Sequence, residues 1–288
     1  MRLFILLFLT FLSISASEKP DFKFSVVADC QYCNKPDKGV RKYKNALKRF
    51  EEFVELSNKV DLKFGVHLGD FIDEKYESFE PLLKLSKGLK YPFYHVLGNH
   101  DFSVKDERKS EVPKLLGMPA RYYSFEVENW VFVALDGNDL SFHGHPKESA
   151  EYKESEKYYI EKKIKSPKWN GGMSAKQINW LKGVLQKASD EQKKVVLFSH
   201  FPVYPENNHN LWNDKEIMEL ISSYKCVKAY INGHNHKGNY GDKNGIHYYT
   251  QKGMVEQDEC SFSIISVYKE KLVLKGYGVI KDKVFTLR

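Results

Sequence analysis

The chain predicts an α/β fold, one domain of two packed sheets flanked by helices. Three observations carry this: apolar β-rich runs alternate with amphipathic stretches through the first hundred residues, the alternation resumes after residue 174, and everything from Ile246 onward reads as strand. Phe22–Ala28 is the first strand. In Lys42–Lys59 the side chains of Tyr43, Leu47, Phe50 and Val54 fall on one face, which makes a helix. Leu62–Leu68 follows as a strand, Leu82–Leu85 lies in a short helix, and Phe93–Leu97 is the third strand. Tyr122–Val127 and Trp130–Leu135 alternate about Glu128-Asn129 in the manner of a hairpin. Ser174 with Gln177 is a capping box that opens a helix to about Lys187. Val195–Phe198 and Val227–Ile231 are strands with the helix Lys215–Tyr224 between them, and the Gly-bounded runs Ile246–Gln251, Phe262–Tyr268 and Leu272–Tyr277 complete the sheets. Residues 137–172 lose all periodicity, carry many charges and end in Asn170-Gly171-Gly172, so they are expected to be an insertion or lid loop without structure of its own. No linker divides residues 18–288.

Composition excludes several classes. With 288 residues, 42% of them hydrophobic, the chain can bury a core without disulfide or metal staples. Its 19 Phe and 18 Tyr exclude disorder as the main state, and 18 glycines without a period exclude a collagen-like chain. Basic residues outnumber acidic ones, 45 to 38, but this charge of +7 is spread thinly and forms no Arg/Lys block, so no nucleic-acid partner is expected. The run Lys153–Lys168 is read as a solvated face of the insertion, the other reading being a phosphate clamp.

Arg2, the apolar run Leu3–Leu12 and the small residues Ser13 to Ser17 follow the order of a secretory signal peptide, cleaved after Ala16 or Ser17. The run is shorter than the ~20 residues of a spanning helix. An exported protein, secreted or periplasmic, with no membrane span after cleavage is expected. Export permits disulfides. Cys30, Cys33, Cys226 and Cys260 allow three pairings, or stay as buried thiols, and no thioredoxin-like context follows Cys30-Gln31-Tyr32-Cys33.

Five polar clusters sit at the ends of the apolar strands: Asp29-Cys30-Gln31, Gly69-Asp70-Phe71-Ile72-Asp73, Gly98-Asn99-His100-Asp101, Ser199-His200 and Gly233-His234-Asn235-His236. In an open α/β sheet the carboxyl ends of the strands converge on one crevice, so clusters two hundred residues apart would meet. They bring together four Asp, two Asn, one Gln and four His, a set of oxygen and nitrogen donors suited to Mn²⁺, Fe, Zn²⁺ or Mg²⁺. Residues i and i+2 of a strand point the same way, so Asp29 and Gln31 can share an ion while Cys30 faces away. Taken singly, each residue has an ordinary reading. His67, His95 and His247 are expected as core or surface histidines, and His143, His145 and His209 as solvated loop residues.

The clusters resemble the calcineurin-like metallophosphoesterases, whose signature is D-x-H, GD-x-x-D, GNH-[DE], a lone His and GH-x-H. Four clusters match, and Gln31 departs from the first. D-x-Q looks like the manganese-dependent ADP-ribose/CDP-alcohol diphosphatase branch, as do Arg41-Lys42-Tyr43, Asn170-Gly171-Gly172, Asn179-Trp180-Leu181, Ser199 to Pro205, Trp212-Asn213 and Gly238-Asn239-Tyr240. The resemblance implies a four-layer α/β/β/α sandwich of two mixed sheets. It implies two divalent ions, Mn²⁺ before Fe, Zn or Mg, with Asp29, Gln31 and His236 on one, Asn99, His200 and His234 on the other, and Asp70 bridging. It further implies that two ions ~4 Å apart hold a hydroxide that attacks phosphorus. His100 would stabilise the charged transition state or protonate the leaving oxygen, Asp101 would orient the His100 ring, and Asp73 would either support the ligands or cap a turn. Tyr32, beside Gln31, would stack on a nucleobase or simply pack. The neutral Gln31 amide is expected to bias the site toward Mn²⁺. The expected activity is hydrolysis of phosphoanhydride bonds in nucleoside diphosphate derivatives, small molecules of the ADP-ribose or CDP-alcohol type. The alternatives are a broader phosphodiesterase or phosphomonoesterase, and a binding module that has lost catalysis.

Overall fold

The computed structural model describes residues 18–288, so the export segment expected at 1–17 lies outside the described residues. In chain order the elements are β1 (Phe22–Val27), α1 (Asn45–Ser57), β2 (Phe64–His67), α2 (Phe79–Ser86), β3 (Phe93–His95), α3 (Val112–Leu115), β4 (Tyr123–Val127) and β5 (Trp130–Ala134). Then come β6 (Leu140–Ser141), α4 (Ala150–Glu161), β7 (Gly171–Gly172), α5 (Ala175–Asp190), β8 (Lys194–Ser199), α6 (Asp214–Ser222) and β9 (Val227–Asn232). The chain closes with β10 (Asn239–Lys243), β11 (Ile246–Thr250), β12 (Ser263–Val267), β13 (Lys271–Gly276) and β14 (Lys283–Thr286).

Two mixed six-stranded sheets result, ordered β14-β13-β12-β1-β2-β3 and β10-β11-β9-β8-β5-β4. β1, β2 and β3 run parallel in one half of the first, with β3 at its edge, and β5, β8, β9 and β11 run parallel in the second. The parallel strands are apolar on both faces because both faces are covered. In β5, Trp130, Phe132 and Ala134 pack toward the first sheet, whereas Val131 and Val133 pack with Ile178, Leu181 and Leu185 of α5 and Ile217 and Ile221 of α6. The sheets meet through Phe24, whose ring lies 5.5 Å from Phe132 and 6.0 Å from Phe198. α1 covers the outer face of the first sheet, with Phe53 edge-on to Phe262 at 5.1 Å. This is the four-layer α/β/β/α arrangement, and no described helix is long and apolar enough to cross a membrane.

The insertion departs from expectation. Residues 137–172 hold α4 and the small ribbon β6–β7 rather than a structureless loop. α4 escapes a periodicity reading because it has no apolar stripe. It starts at Ser149, whose Oγ accepts the Tyr152 N–H, and it seats on β6 through Ser155, whose Oγ accepts the Ser141 N–H at 3.0 Å. β7 is two glycines and carries no side-chain signal. Lys153 and Lys157 are solvated, as expected of the charged face. Ser174 caps α5 by accepting the Gln177 N–H, but the capping box does not close: Gln177 bonds both backbone groups of Asp136, and Asp139 takes the Ser174 N–H. β10, an edge strand of polar residues, was hidden for the same lack of pattern. All four cysteines are free thiols, with Cys30, Cys33 and Cys260 buried.

His67 and His95 are core residues, as expected. His95 packs at 5.1 Å from both Phe71 and Phe93, and burial pulls its pKa down to about 3. The unfolded chain therefore takes up the proton first, and the stability present above ~pH 6.5 is lost as pH falls. Between pH 7.5 and 5.5 this one group should remove about 1.4 kcal/mol. Urea unfolding of His95→Phe, which keeps the ring packing, should show the acid loss reduced by that amount. An unchanged loss would assign the acid sensitivity elsewhere.

Candidate metal centre

Each predicted cluster stands just past the carboxyl end of a parallel strand: Asp29 and Gln31 after β1, Asp70 and Asp73 after β2, Asn99 and His100 after β3, His200 after β8, His234 and His236 after β9. The two sheets present these ends on one edge, and the chain must turn sharply there. Asp29, Gln31, Asp70 and His234 adopt left-handed backbone with φ of 52°, 46°, 58° and 67°. Such conformations are uncommon for residues other than glycine and collect at functional sites. Gly98 meets the same crowding, since a Cβ there would lie 2.1 Å from Asp70 Oδ1.

The seven expected ligands converge. Asp70, His200 and His234 offer donor atoms within 4.8 Å of one another. Asp29 Oδ1 lies 3.4 Å from His236 Nε2, Gln31 Nε2 lies 2.9 Å from Asp70 Oδ2 and 3.3 Å from His236 Nε2, and Asn99 Oδ1 lies 3.3 Å from His200 Nε2. Each imidazole is held from outside by one nitrogen. His200 Nδ1 donates to Leu68 O at 2.8 Å, His236 Nδ1 to Glu256 Oε1 at 2.8 Å, and His234 Nε2 to Asn170 Oδ1 at 2.9 Å. Metal-binding histidines are oriented in this way, with the other nitrogen left for the ion. Gln31 Oε1 is buried without a partner, a cost that a cation would remove. Burial works against charge on His200 and His236, yet Asp70 and Asp29 respectively draw them up to about 9. Burial and then His200 push His234 well down. Asp70 is held well below the carboxylate range, its burial outweighed by His200 and His100. These protons are what divalent cations displace on binding. The donor set fits two such ions.

Asp101 does not touch the His100 ring. Its carboxylate, fully buried, accepts four backbone N–H groups: Phe71 (2.8 Å) and Ile72 (3.3 Å) on Oδ1, Asp70 (3.0 Å) and Gly98 (2.9 Å) on Oδ2. Burial, and then the Asp70 charge, raise its pKa to about 7. It locks the Gly69-Asp70 turn to the Gly98-Asn99 turn. The residue facing His100 is Asp73, whose carbonyl lies 3.0 Å and whose Oδ1 lies 3.2 Å from Nδ1. Lys35 is paired with the other Asp73 oxygen and lies over the Tyr43 ring. Burial opposes the charge on His100, but Asp70 and Asp73 raise its pKa.

Tyr32 is also displaced from its expected place. A cavity of about 220 Å³ over the ligands is lined by Gln31, Arg41, Asp70, Asn99, His100, Trp169, His209, His234 and His236. Tyr32 bridges to Ile72 and lines a neighbouring cavity with Cys33 and Lys75, past the left-handed turn at Gln31. The aromatic at the rim is Trp169, 37% exposed, with its ring 5.1 Å from His209 and from His234. His209 is thus part of the site wall rather than a solvated loop residue, and His145 is buried with Nε2 donating to Asp139 O. Arg41 also lines the cavity, its Nε 3.8 Å from Glu256. Asn170, Glu256, Trp169 and His209 carried no sequence signal of their own. Asn170-Gly171-Gly172 and Arg41 stood out only as pieces of the resemblance.

Residues 22–238 match the model of the calcineurin-like phosphoesterase family. The manganese-dependent ADP-ribose/CDP-alcohol diphosphatase of Oryza sativa subsp. japonica is 33% identical over 306 residues, covering 93% of this chain and 95% of its own length. The Homo sapiens protein of that name is 29% identical over 327 residues, covering 96% of each. A dimetal phosphatase from Danio rerio, known from its crystal structure, superposes with a TM-score of 0.85 at 25% identity and covers 94% of this chain and 100% of its own. A match across three quarters of the 288-residue chain, over the same strand-end turns that gather the candidate ligands, makes this chain a member of the calcineurin-like phosphoesterase family.

Proposed function

We propose that this chain is a manganese-dependent hydrolase of the phosphoanhydride bond in nucleoside diphosphate derivatives, of the ADP-ribose and CDP-alcohol kind. The observation that carries the reading is the complete set Asp29, Gln31, Asp70, Asn99, His200, His234 and His236, gathered at one edge of a chain whose relatives bear that activity in their names. A complete ligand set argues against a binding module that has lost catalysis. Two bound divalent ions supply Lewis acidity at the phosphoryl oxygens and make water nucleophilic near neutral pH. The chain's own residues do the rest. Asp73 holds His100 by Nδ1, so Nε2 is free to give a proton to the leaving phosphate oxygen. Arg41, in the wall of the same cavity, binds the second phosphate. The cavity is smaller than the ~300 Å³ of ordinary ligand sites, so it takes the diphosphate while the base lies at the rim, on Trp169.

The test is a side-by-side assay of residues 18–288, metal-stripped and restored with Mn²⁺, on ADP-ribose, CDP-choline, a cyclic nucleotide and a phosphomonoester without a base. The two diphosphates should turn over fastest, and equal turnover of all four would reject the assignment in favour of a broad phosphoesterase. Base stacking on an aromatic contributes ~1–3 kcal/mol, so Trp169→Ala should raise KM for the diphosphates roughly tenfold with little change in kcat and leave the base-free substrate alone. A uniform loss on every substrate would place Trp169 in the scaffold instead.

Export of the mature chain from residue 18 belongs to the same proposal. It is supported by the order of one charge, the apolar run Leu3–Leu12 broken only by Thr10, and the stretch Ser13 to Ser17. Recovery of the full-length protein outside the cytoplasm with Ser17, Glu18 or a neighbour as its first residue would bear this out, and retention of Met1 would reject it.

A further inference from the structure

The three imidazoles of the centre are anchored differently. His200 and His236 are held by Leu68 O, at the end of β2, and by Glu256, just before the loop to β12, whereas His234 is held by Asn170, at the end of the insertion. Asn170 is fully buried, and its amide can be oriented only one way. Nδ2 lies 2.8 Å from the carbonyl oxygen of Asn208, which can only accept, and 2.8 Å from Ser166 Oγ. Oδ1 therefore faces His234, and because Oδ1 can only accept, the proton of the neutral ring must sit on Nε2. Nδ1 is left as the lone-pair nitrogen of His234. The glycines that follow hold this arrangement in place. A Cβ on Gly171 would lie 2.1 Å from Gly137 O, and the Gly171 carbonyl accepts the Trp212 N–H at 2.8 Å.

We propose that Asn170 is a positioning residue for the metal centre: by holding the proton on His234 Nε2 it presents Nδ1 to the ion, and it thereby makes the insertion a determinant of metal affinity as well as a wall of the cavity. The proposal rests on His234 being a metal ligand, and the experiment separates the two. Mn²⁺ titration of the full chain, followed by the electron paramagnetic resonance signal of free Mn²⁺, gives the stoichiometry and affinity of each site without any turnover. His234→Ala should lose one of the two ions; if it keeps both at native affinity, the ligand reading itself fails. Asn170→Leu, similar in shape but without an acceptor, should weaken one ion by ~10–100-fold and leave the other unchanged, the usual cost of removing the partner of a metal-bound histidine. Asn170→Asp, which keeps an acceptor toward Nε2, should bind that ion more tightly than Asn170→Leu. Native Mn²⁺ affinity in Asn170→Leu alongside loss in His234→Ala would overturn the proposal, as would an Asn170→Asp no better than the leucine variant. Should circular dichroism show Asn170→Leu to be misfolded, Ser166→Ala leaves Asn170 in place and removes one of its two anchors. It should weaken the same ion by several-fold, and unchanged binding would count against the proposal.

Discussion

Asp70→Asn should abolish activity by at least ~10²–10³-fold, the scale for removing one preorganised charge from a reacting centre. The carboxylate is the point where the two halves of the site touch: Oδ2 lies 2.9 Å from Gln31 Nε2 and 3.3 Å from His200 Nε2, while Oδ1 accepts the His100 N–H at 2.8 Å. Asparagine matches it in shape and removes the negative charge that two cations would share. The fold should survive, since the Asp101 bonds that lock the Gly69-Asp70 turn use the backbone N–H of residue 70, not its side chain. Metal analysis by mass spectrometry should fall from two Mn²⁺ per chain to one or fewer. A variant with native turnover and both ions would sink the proposed mechanism.

Asp101→Ala should be among the most damaging substitutions for stability, and Asp73→Asn among the most damaging for kcat at intact stability. Deleting the Asp101 carboxylate orphans four buried N–H groups from two turns at once, and loss of one partner from such a network costs about 3–5 kcal/mol. Urea unfolding should register this before any assay does. Asp73 is different. Its side chain touches His100 and Lys35, so replacing it removes the negative charge beside the imidazole without opening the turns, while the main-chain carbonyl of residue 73 still accepts from Nδ1. Losing the group that orients a histidine costs ~10–100-fold, and losing the histidine itself ~10²–10⁴-fold, so Asp73→Asn should sit between native protein and His100→Ala in kcat with an unfolding midpoint close to native. The reverse pattern, an Asp101 variant as stable as native yet matching His100→Ala in kcat, would return Asp101 to the imidazole.

The strands and the ligands were legible for one reason. β1, β2, β8 and β9 are largely buried, so they appear as apolar runs, β3 is a half-buried edge strand, and each polar cluster is written directly after its run. Parallel strands then place all their carboxyl ends on one edge without further information. α4 was not legible, because it seats through Ser155 and edge-on aromatics rather than an apolar stripe. Tyr32 and Asp101 were assigned by adjacency to Gln31 and His100, and adjacency misleads where a left-handed turn redirects the chain or where a carboxylate turns back to the main chain.

By itself the sequence showed the apolar strands and the polar clusters at their ends, and the resemblance of those clusters to a known family supplied the expected two-sheet sandwich and donor set. Only the tertiary structure decided which group holds each imidazole, which carboxylate faces His100 and which aromatic stands at the rim. Leu68, Glu256 and Asn170 lie 132, 20 and 64 residues from the histidines they orient, and Asp73 lies 27 from His100. Hydrogen bonds of this kind act over about 3 Å in space and leave no periodic or local trace along the chain, so they become visible only once the two sheets have brought their edges together.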